Sequence, residues 1–321
     1  MKLKIKTMNN DNTSSGNSWE RSMLEKLLLQ VYQEQRRARI WKLVWRLVWL
    51  ALLAALIFSA VIGKKDLGAT KEHTAVINLS GIINNYEDQA QILRDGLEAA
   101  YKNPNVKGII LRANSPGGSP VVSNIAFEEV RRLKAQHKNI PLYVVAEDVC
   151  ASGCYYIASA ADKIYADPSS IVGSIGVIGG GFDVTGLMEK LGVKRRLKIA
   201  GDNKGMGDPF TPETPEQAAI WQQMLTDIHQ EFIKSVKLGR GDRLKEADNP
   251  DLFSGRIYTG VEGKKVGLID DFGNIYSVSR DIIKAPELVD YTPQESLSKA
   301  MGRRFGGEIR QGLQQGLEQP W

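Results

Sequence analysis

Three short apolar runs, each followed by a helical pattern, limit this chain to an α/β domain built on a mostly parallel sheet. The runs are AVINL at 75–79, VKGIILRA at 106–113 and PLYVVAE at 141–147, and VKGIILRA reads as a buried strand. Helices are expected over 88–102, ending at Asn103-Pro104, over 120–136, and from near Ala151. Further on, Thr214-Pro215-Glu216-Gln217 combines a capping box with proline at the first helical position. It opens a helix carrying Ile220, Met224, Leu225, Ile228, Phe232 and Val236. In sheets of this kind ligands bind beyond the C-terminal ends of the strands, so the turns there are where chemistry belongs.

Two of those turns are unusual. Asn114-Ser115-Pro116-Gly117-Gly118-Ser119 follows the second run, and adjacent glycines let a backbone approach a ligand closely with its N–H groups turned into a cleft. Cys150-Ala151-Ser152-Gly153-Cys154-Tyr155-Tyr156 follows the third. A serine between small residues at the start of a helix is accessible, and the helix dipole favours negative charge developing there. An isolated serine in that place also reads as a plain N-cap. The turn is not the G-x-S-x-G elbow of the α/β-hydrolases, because Cys150 and Cys154 stand at the glycine positions. Taken as a pair, one turn offers a nucleophile and its neighbour offers backbone donors for an oxyanion.

Ser152 then needs a base. His73, His137 and His229 are scattered, and none sits in a glycine-rich setting, so a Ser/His triad has little support. His229 falls inside the helix opened by Thr214, as a packed or solvated residue. A lysine serves instead when desolvation lowers its pKa from about 10.4 towards 7–8. Lys204 lies in the small-residue loop Ala200-Gly201-Asp202-Asn203-Lys204-Gly205-Met206, with Pro209 and Phe210 close by, a setting able to bury an ammonium. Composition alone does not single it out among 42 Lys and Arg residues.

Two cysteines and three scattered histidines make no zinc framework, and no metal or cofactor is expected. Cys150 and Cys154 read as a pair of small buried thiols in preference to a disulfide, whose geometry is demanding at this spacing.

The formal charge of +5 does not point to nucleic acid, because it is unevenly placed. Residues 1–46 hold ten Lys/Arg against four Asp/Glu, which leaves the rest of the chain with one net negative charge. That basic segment precedes LVWLALLAALIFSAVI at 47–62, which is free of charged residues. Extended back to Leu43, the run gives about 20 residues, enough to cross a ~30 Å hydrocarbon core. Trp41, Trp45 and Trp49 stand where an aromatic belt would lie. The positive-inside rule puts the N-terminus in the cytoplasm and the residues after the run outside, and an uncleaved anchor is favoured over a signal peptide. Residues 1–18 read as disordered and 19–39 as an amphipathic helix with Leu24, Leu27, Leu28, Val31 and Tyr32 on one side.

The runs NSPGGS, VCASGCYYIASAADKIYADPSSIVGSIGV, AGDNKG and RIYTGVEGKKVGLIDDFG, in this order and at these spacings, resemble peptidase family S49, the signal peptide peptidase A family, over roughly residues 73–280. A single such domain behind an anchor resembles the short form of that family. The resemblance implies a Clp-protease/crotonase-like repeated β-β-α fold and a Ser/Lys dyad. On the matching motifs, Ser152 is the nucleophile and Lys204 the general base. Ser174 of Gly173-Ser174-Ile175-Gly176 hydrogen-bonds the lysine, and Gly118 and Gly153 supply the oxyanion N–H groups. The chain departs from the usual ASGG in having Cys154 for the second glycine, which is expected to be tolerated.

The resemblance further implies homo-oligomeric rings, with the lysine sometimes supplied by an adjacent protomer, and substrates that are signal-peptide remnants or other short apolar peptides. The domains expected are a cytoplasmic segment at 1–40, a transmembrane anchor at 41–63, a linker at 64–72, an S49 protease domain at 73–285 and a weakly ordered tail at 286–321. The location expected is the bacterial inner membrane, single-pass, with the catalytic domain periplasmic. Rival readings are an S49 protease that processes one membrane-protein partner, a crotonase-like acyl-CoA enzyme, and an inactive membrane scaffold.

Overall fold

The computed structural model describes residues 71–86 and 88–293, a helix over 39–55, and Met23, Lys26, Arg36 and Arg37. It divides into two units, Met1–Leu67 and Gly68–Trp321. In the first, helix α1 is described over 39–55 and leaves Trp41, Trp45 and Trp49 exposed. Among the described residues no helix is long and apolar enough to cross a membrane. Residues 56–63 of the expected anchor lie outside the described residues, as do 64–70 of the linker, the segment 1–18, most of 19–39, and 294–321 of the tail.

The second unit alternates strand and helix as its sequence predicts. Its elements begin with β1 (His73–Ile83), α2 (Gln89–Lys102), β2 (Val106–Gly118), α3 (Pro120–Gln136), β3 (Leu142–Ala151) and α4 (Gly153–Ala158). Next come β4 (Lys163–Ala166), β5 (Ile171–Gly173), α5 (Thr185–Lys190), α6 (Pro215–Arg240), β6 (Ile257–Thr259), α7 (Gly260–Val266), β7 (Asp271–Phe272), α8 (Ile275–Ser277) and β8 (Leu288–Asp290). The strands form one sheet in the order β6-β5-β3-β2-β1-β8, with β4 on β3 and β7 on β4. Every pairing is parallel except β5 with β6. This mixed sheet with its helices fits the Clp-protease-like fold expected. Strand β8 carries the sheet past residue 285, where the tail was expected to start, because Leu288 and Val289 are half-buried in pairing with Thr74 and Ala75.

Both faces of the sheet are covered. Ile77, Ile109, Leu111 and Val144 pack with Leu93 and Leu97 of α2, Phe127 of α3 and Ile157 of α4. Ile110, Val145 and Tyr165 face the other way, onto Ile275 and Val278. Each such side chain contributes roughly 1.5–3 kcal/mol by leaving water.

Two strands run further than their apolar residues suggest. Strand β2 continues through Asn114–Gly118, where Ile82 and Ile83 of β1 pair with Gly117 and Gly118 across a register shift. Strand β3 continues to Ala151 because it forks. Its first part, Tyr143 to Ala146, pairs with β4, and its last part, Val149 to Ala151, pairs with β5. Helix α4 accordingly starts at Gly153, two residues after Ala151.

Helix α6 has the predicted capping box, with Gln217 N–H donating to Thr214 Oγ1 and Thr214 N–H to Gln217 Oε1, both at 3.2 Å. Only its second half is buried: Phe232 and Val236 enter the core, while Ile220 and Met224 are exposed. The preceding segment, 174–214, pairs with no strand of the sheet and leaves Ile178 97% and Phe182 87% exposed. At its far end α6 is locked by Arg240, which is buried and donates to Asp270 at 2.7 Å and to the Gly267 carbonyl at 2.9 and 3.2 Å.

Candidate active site

Ser152 stands between the tip of β3 and the first turn of α4, with φ 53° and ψ −123°. A residue carrying a Cβ enters this part of backbone space at a cost of about 1–3 kcal/mol, and only where the surroundings over-determine it. Two hydrogen bonds contribute: Ser152 N–H donates to the Gly173 carbonyl at 2.8 Å, and its own carbonyl accepts from Tyr156 N–H at 2.9 Å. Ser152 occupies the N-cap position, yet its side chain makes no capping bond. The half-buried hydroxyl is left for other work.

The glycines of the adjacent strand tip press against this turn. Gly117 has φ 101°, and a Cβ there would stand 2.7 Å from both Gly153 N and Ser152 Cβ. A Cβ on Gly153 would strike Ser123 Oγ and come within 3.2 Å of Gly118 N. The backbones of Gly117, Gly118 and Gly153 thus lie against one another and against Ser152. The importance of Gly117 was not separable in the sequence from that of Gly118; only the close approach distinguishes them.

Ser174 follows directly on Gly173, whose carbonyl holds Ser152, and it too has positive φ, 53°. Its N–H donates to the Arg256 carbonyl of the chain entering β6 at 2.9 Å, and its own carbonyl accepts from Gly176 N–H at 2.9 Å. His229 of α6 lies with Nε2 3.0 Å from the Ile175 carbonyl, so it is a packed residue that ties α6 to this loop. Ser152, Ser174, Gly118 and Gly153 are therefore brought to one end of the sheet.

Among the described residues, no hydrogen bond joins the Lys204 side chain to Ser152 or Ser174. Lys204 lies in the turns at 201–207, where its N–H donates to the Gly201 carbonyl at 3.0 Å and its side chain is exposed. The expected burial of its ammonium near Met206, Pro209 and Phe210 is absent, because the 174–214 segment has no sheet partner to pack it down.

Cys150 and Cys154 form a disulfide, which corrects the expectation of two thiols. The strand-to-helix turn folds the two positions to a Cα separation of 5.1 Å, inside the range that a disulfide spans. Cys154 itself has helical backbone angles, so the position usually held by glycine needs no special conformation here.

The chain matches the model of "Peptidase family S49" over residues 134–288. A Brucella melitensis protein named "Na(+)/H(+) antiporter NhaA" is 45% identical over 184 residues, 57% of this chain and 25% of that protein. The chain thus spans about a quarter of the length of its Brucella relatives. "Putative protease MJ0651" of Methanocaldococcus jannaschii is 34% identical over 251 residues, 73% of this chain and 78% of that protein. "Putative signal peptide peptidase SppA" of Enterococcus faecium is 30% identical over 247 residues, 73% of this chain and 70% of that protein. A strained serine backed by paired glycine amides, together with relatives that match along most of their length, shows that the chain belongs to peptidase family S49, the family of signal peptide peptidase A.

Proposed function

We propose that the chain is a serine endopeptidase that uses Ser152 as nucleophile and Lys204 as general base. The observation that carries this reading is the Ser152 turn: strained, uncapped by its own side chain, and flanked by the amides of Gly118 and Gly153. Lys204 takes the Ser152 proton as Oγ attacks a peptide carbonyl. The N–H groups of Gly118 and Gly153 receive the oxyanion, where losing one donor typically costs about 10²–10³ in rate. The protonated lysine gives its proton to the leaving amine, and water then hydrolyses the acyl-enzyme. Ser174 hydrogen-bonds the lysine and orients it.

Because Lys204 is exposed in the single chain, the dyad forms when the 174–214 segment packs in a homo-oligomeric ring, and the lysine then comes from the same or a neighbouring protomer. The apolar residues Ile178, Phe182 and Leu191, left in water by that segment, support such packing. The substrates are signal-peptide remnants or other short apolar peptides. Residues 41–63 anchor the chain in the inner membrane with the catalytic domain on the periplasmic side. The charge step across the apolar run supports this placement.

The test is labelling of the full-length protein with a fluorophosphonate and mapping of the modified peptide. Modification of Ser152, lost in Ser152→Ala, is expected; label on another serine removes the assignment.

A further inference from the structure

The disulfide brackets the nucleophile. Cys150, near the end of β3, is two residues before Ser152, and Cys154, in the first turn of α4, is two residues after it. The two cysteines are 1% and 0% exposed. The bond closes behind Ala151, Ser152 and Gly153, around the one strained residue of that turn.

Closing so short a loop removes little chain entropy, since that gain grows with loop length. A bond placed for global stability would sit elsewhere. Here it acts on local geometry. The hydrogen bonds at Ser152 N–H and C=O tolerate rotations of tens of degrees. A disulfide confines its Cα atoms to about 4.4–6.8 Å, which limits the change in span that would accompany relaxation of Ser152 to negative φ.

We infer that the Cys150–Cys154 disulfide is a positioning element of the active site, holding Ser152 in its strained conformation so that hydrolysis depends on the oxidised pair. The inference rests on the role of Ser152 proposed above. A dithiol reductant delivers two electrons and two protons to the bond, yielding two cysteine thiols and the oxidised dithiol. The turn then relaxes, and Ser152 Oγ leaves its alignment with the Gly118 and Gly153 amides.

The experiment compares full-length wild type with Cys150→Ala/Cys154→Ala and with Cys150→Ser, each checked for folding by circular dichroism. The readouts are the rate of fluorophosphonate labelling at Ser152, and kcat and KM on a short apolar peptide. Labelling rate and kcat are expected to fall about tenfold to a hundredfold, the effect of a small misplacement of a reacting group, with KM nearly unchanged. Wild type treated with a dithiol should show the same loss and recover on reoxidation, which keeps the comparison intact if the variants unfold. A folded variant that labels at the wild-type rate overturns the inference. So does active wild type in which both cysteines are alkylated once the protein is denatured. Wild type that does not label at Ser152 at all overturns the nucleophile assignment, and the inference with it.

Discussion

The N–H of Ser152 donates to the carbonyl of Gly173 at 2.8 Å, so the Ser152 backbone is held by the residue directly before Ser174. Gly173 has φ 90°, and a Cβ there would stand 2.8 Å from Tyr258 Cδ2. Gly173→Ala is therefore expected to disturb both serines. Peptide hydrolysis should fall at least about tenfold, and stability in urea by about 1–3 kcal/mol. Wild-type values for both would show that this carbonyl does not position the nucleophile.

Ser152→Gly should abolish hydrolysis yet stabilise the fold. Glycine enters positive φ freely, which releases strain worth about 1–3 kcal/mol, partly offset by the entropy of the unfolded glycine at about 0.5–1 kcal/mol. A rise in urea midpoint with no change in slope is the expected reading, and a fall would mean that the turn stores no strain.

Gly117→Ala brings a methyl group against Gly153 N and Ser152 Cβ. Its effect on kcat should be as large as losing an oxyanion donor, about 10²–10³. Titration of reactive Ser152 distinguishes slower chemistry from a smaller folded fraction.

Burial pushes the Asp270 carboxyl up, but the hydrogen bond and charge of Arg240, the Ile164 N–H and the charge of Arg243 outweigh it and hold it below the ordinary carboxylate value. A carboxylate depressed in the folded state adds stability above the unfolded pKa of about 3.9, and loses it as pH falls through the folded value. Asp270→Ala leaves Arg240 buried and unpaired, which should cost about 3–5 kcal/mol at neutral pH. Denaturation midpoints between pH 2 and 7 should fall less steeply on the acid side for the variant than for wild type, as judged on about the same carboxylate scale. Parallel curves would exclude the pair as an acid-sensitive contact.

Lys204→Ala should lower kcat by about 10²–10⁴, the range for a general base. Because Lys204 is exposed in one chain, wild-type specific activity should also fall on dilution, in step with the loss of oligomer seen by light scattering. Full activity in a demonstrated monomer would rule out assembly as a requirement.

Much of this architecture is legible in the residues. The apolar runs at 75–79 and 106–113 lie within observed strands, the run at 141–147 does so from Leu142 onward, and 120–136 is helical to its ends. What was missed lies where pairing, rather than local pattern, decides. Residues 114–118 look like a turn, because their chemistry is that of turns, but the end of β1 draws them into a ladder. The disulfide was missed for a similar reason: a four-residue separation in sequence says nothing of a strand-to-helix corner that folds the two sulfurs together. His229 carries no local signal of its contact with Ile175, which depends on where α6 lands 54 residues later. The burial expected of Lys204 failed because small and apolar neighbours in sequence do not form a pocket unless another surface closes over them.

The division of β3 between β4 at its base and β5 at its tip has a mechanical consequence. Tip and branch carry the two serines on one small, bonded platform, so a tilt of β5 carries Ser152 and Ser174 along together.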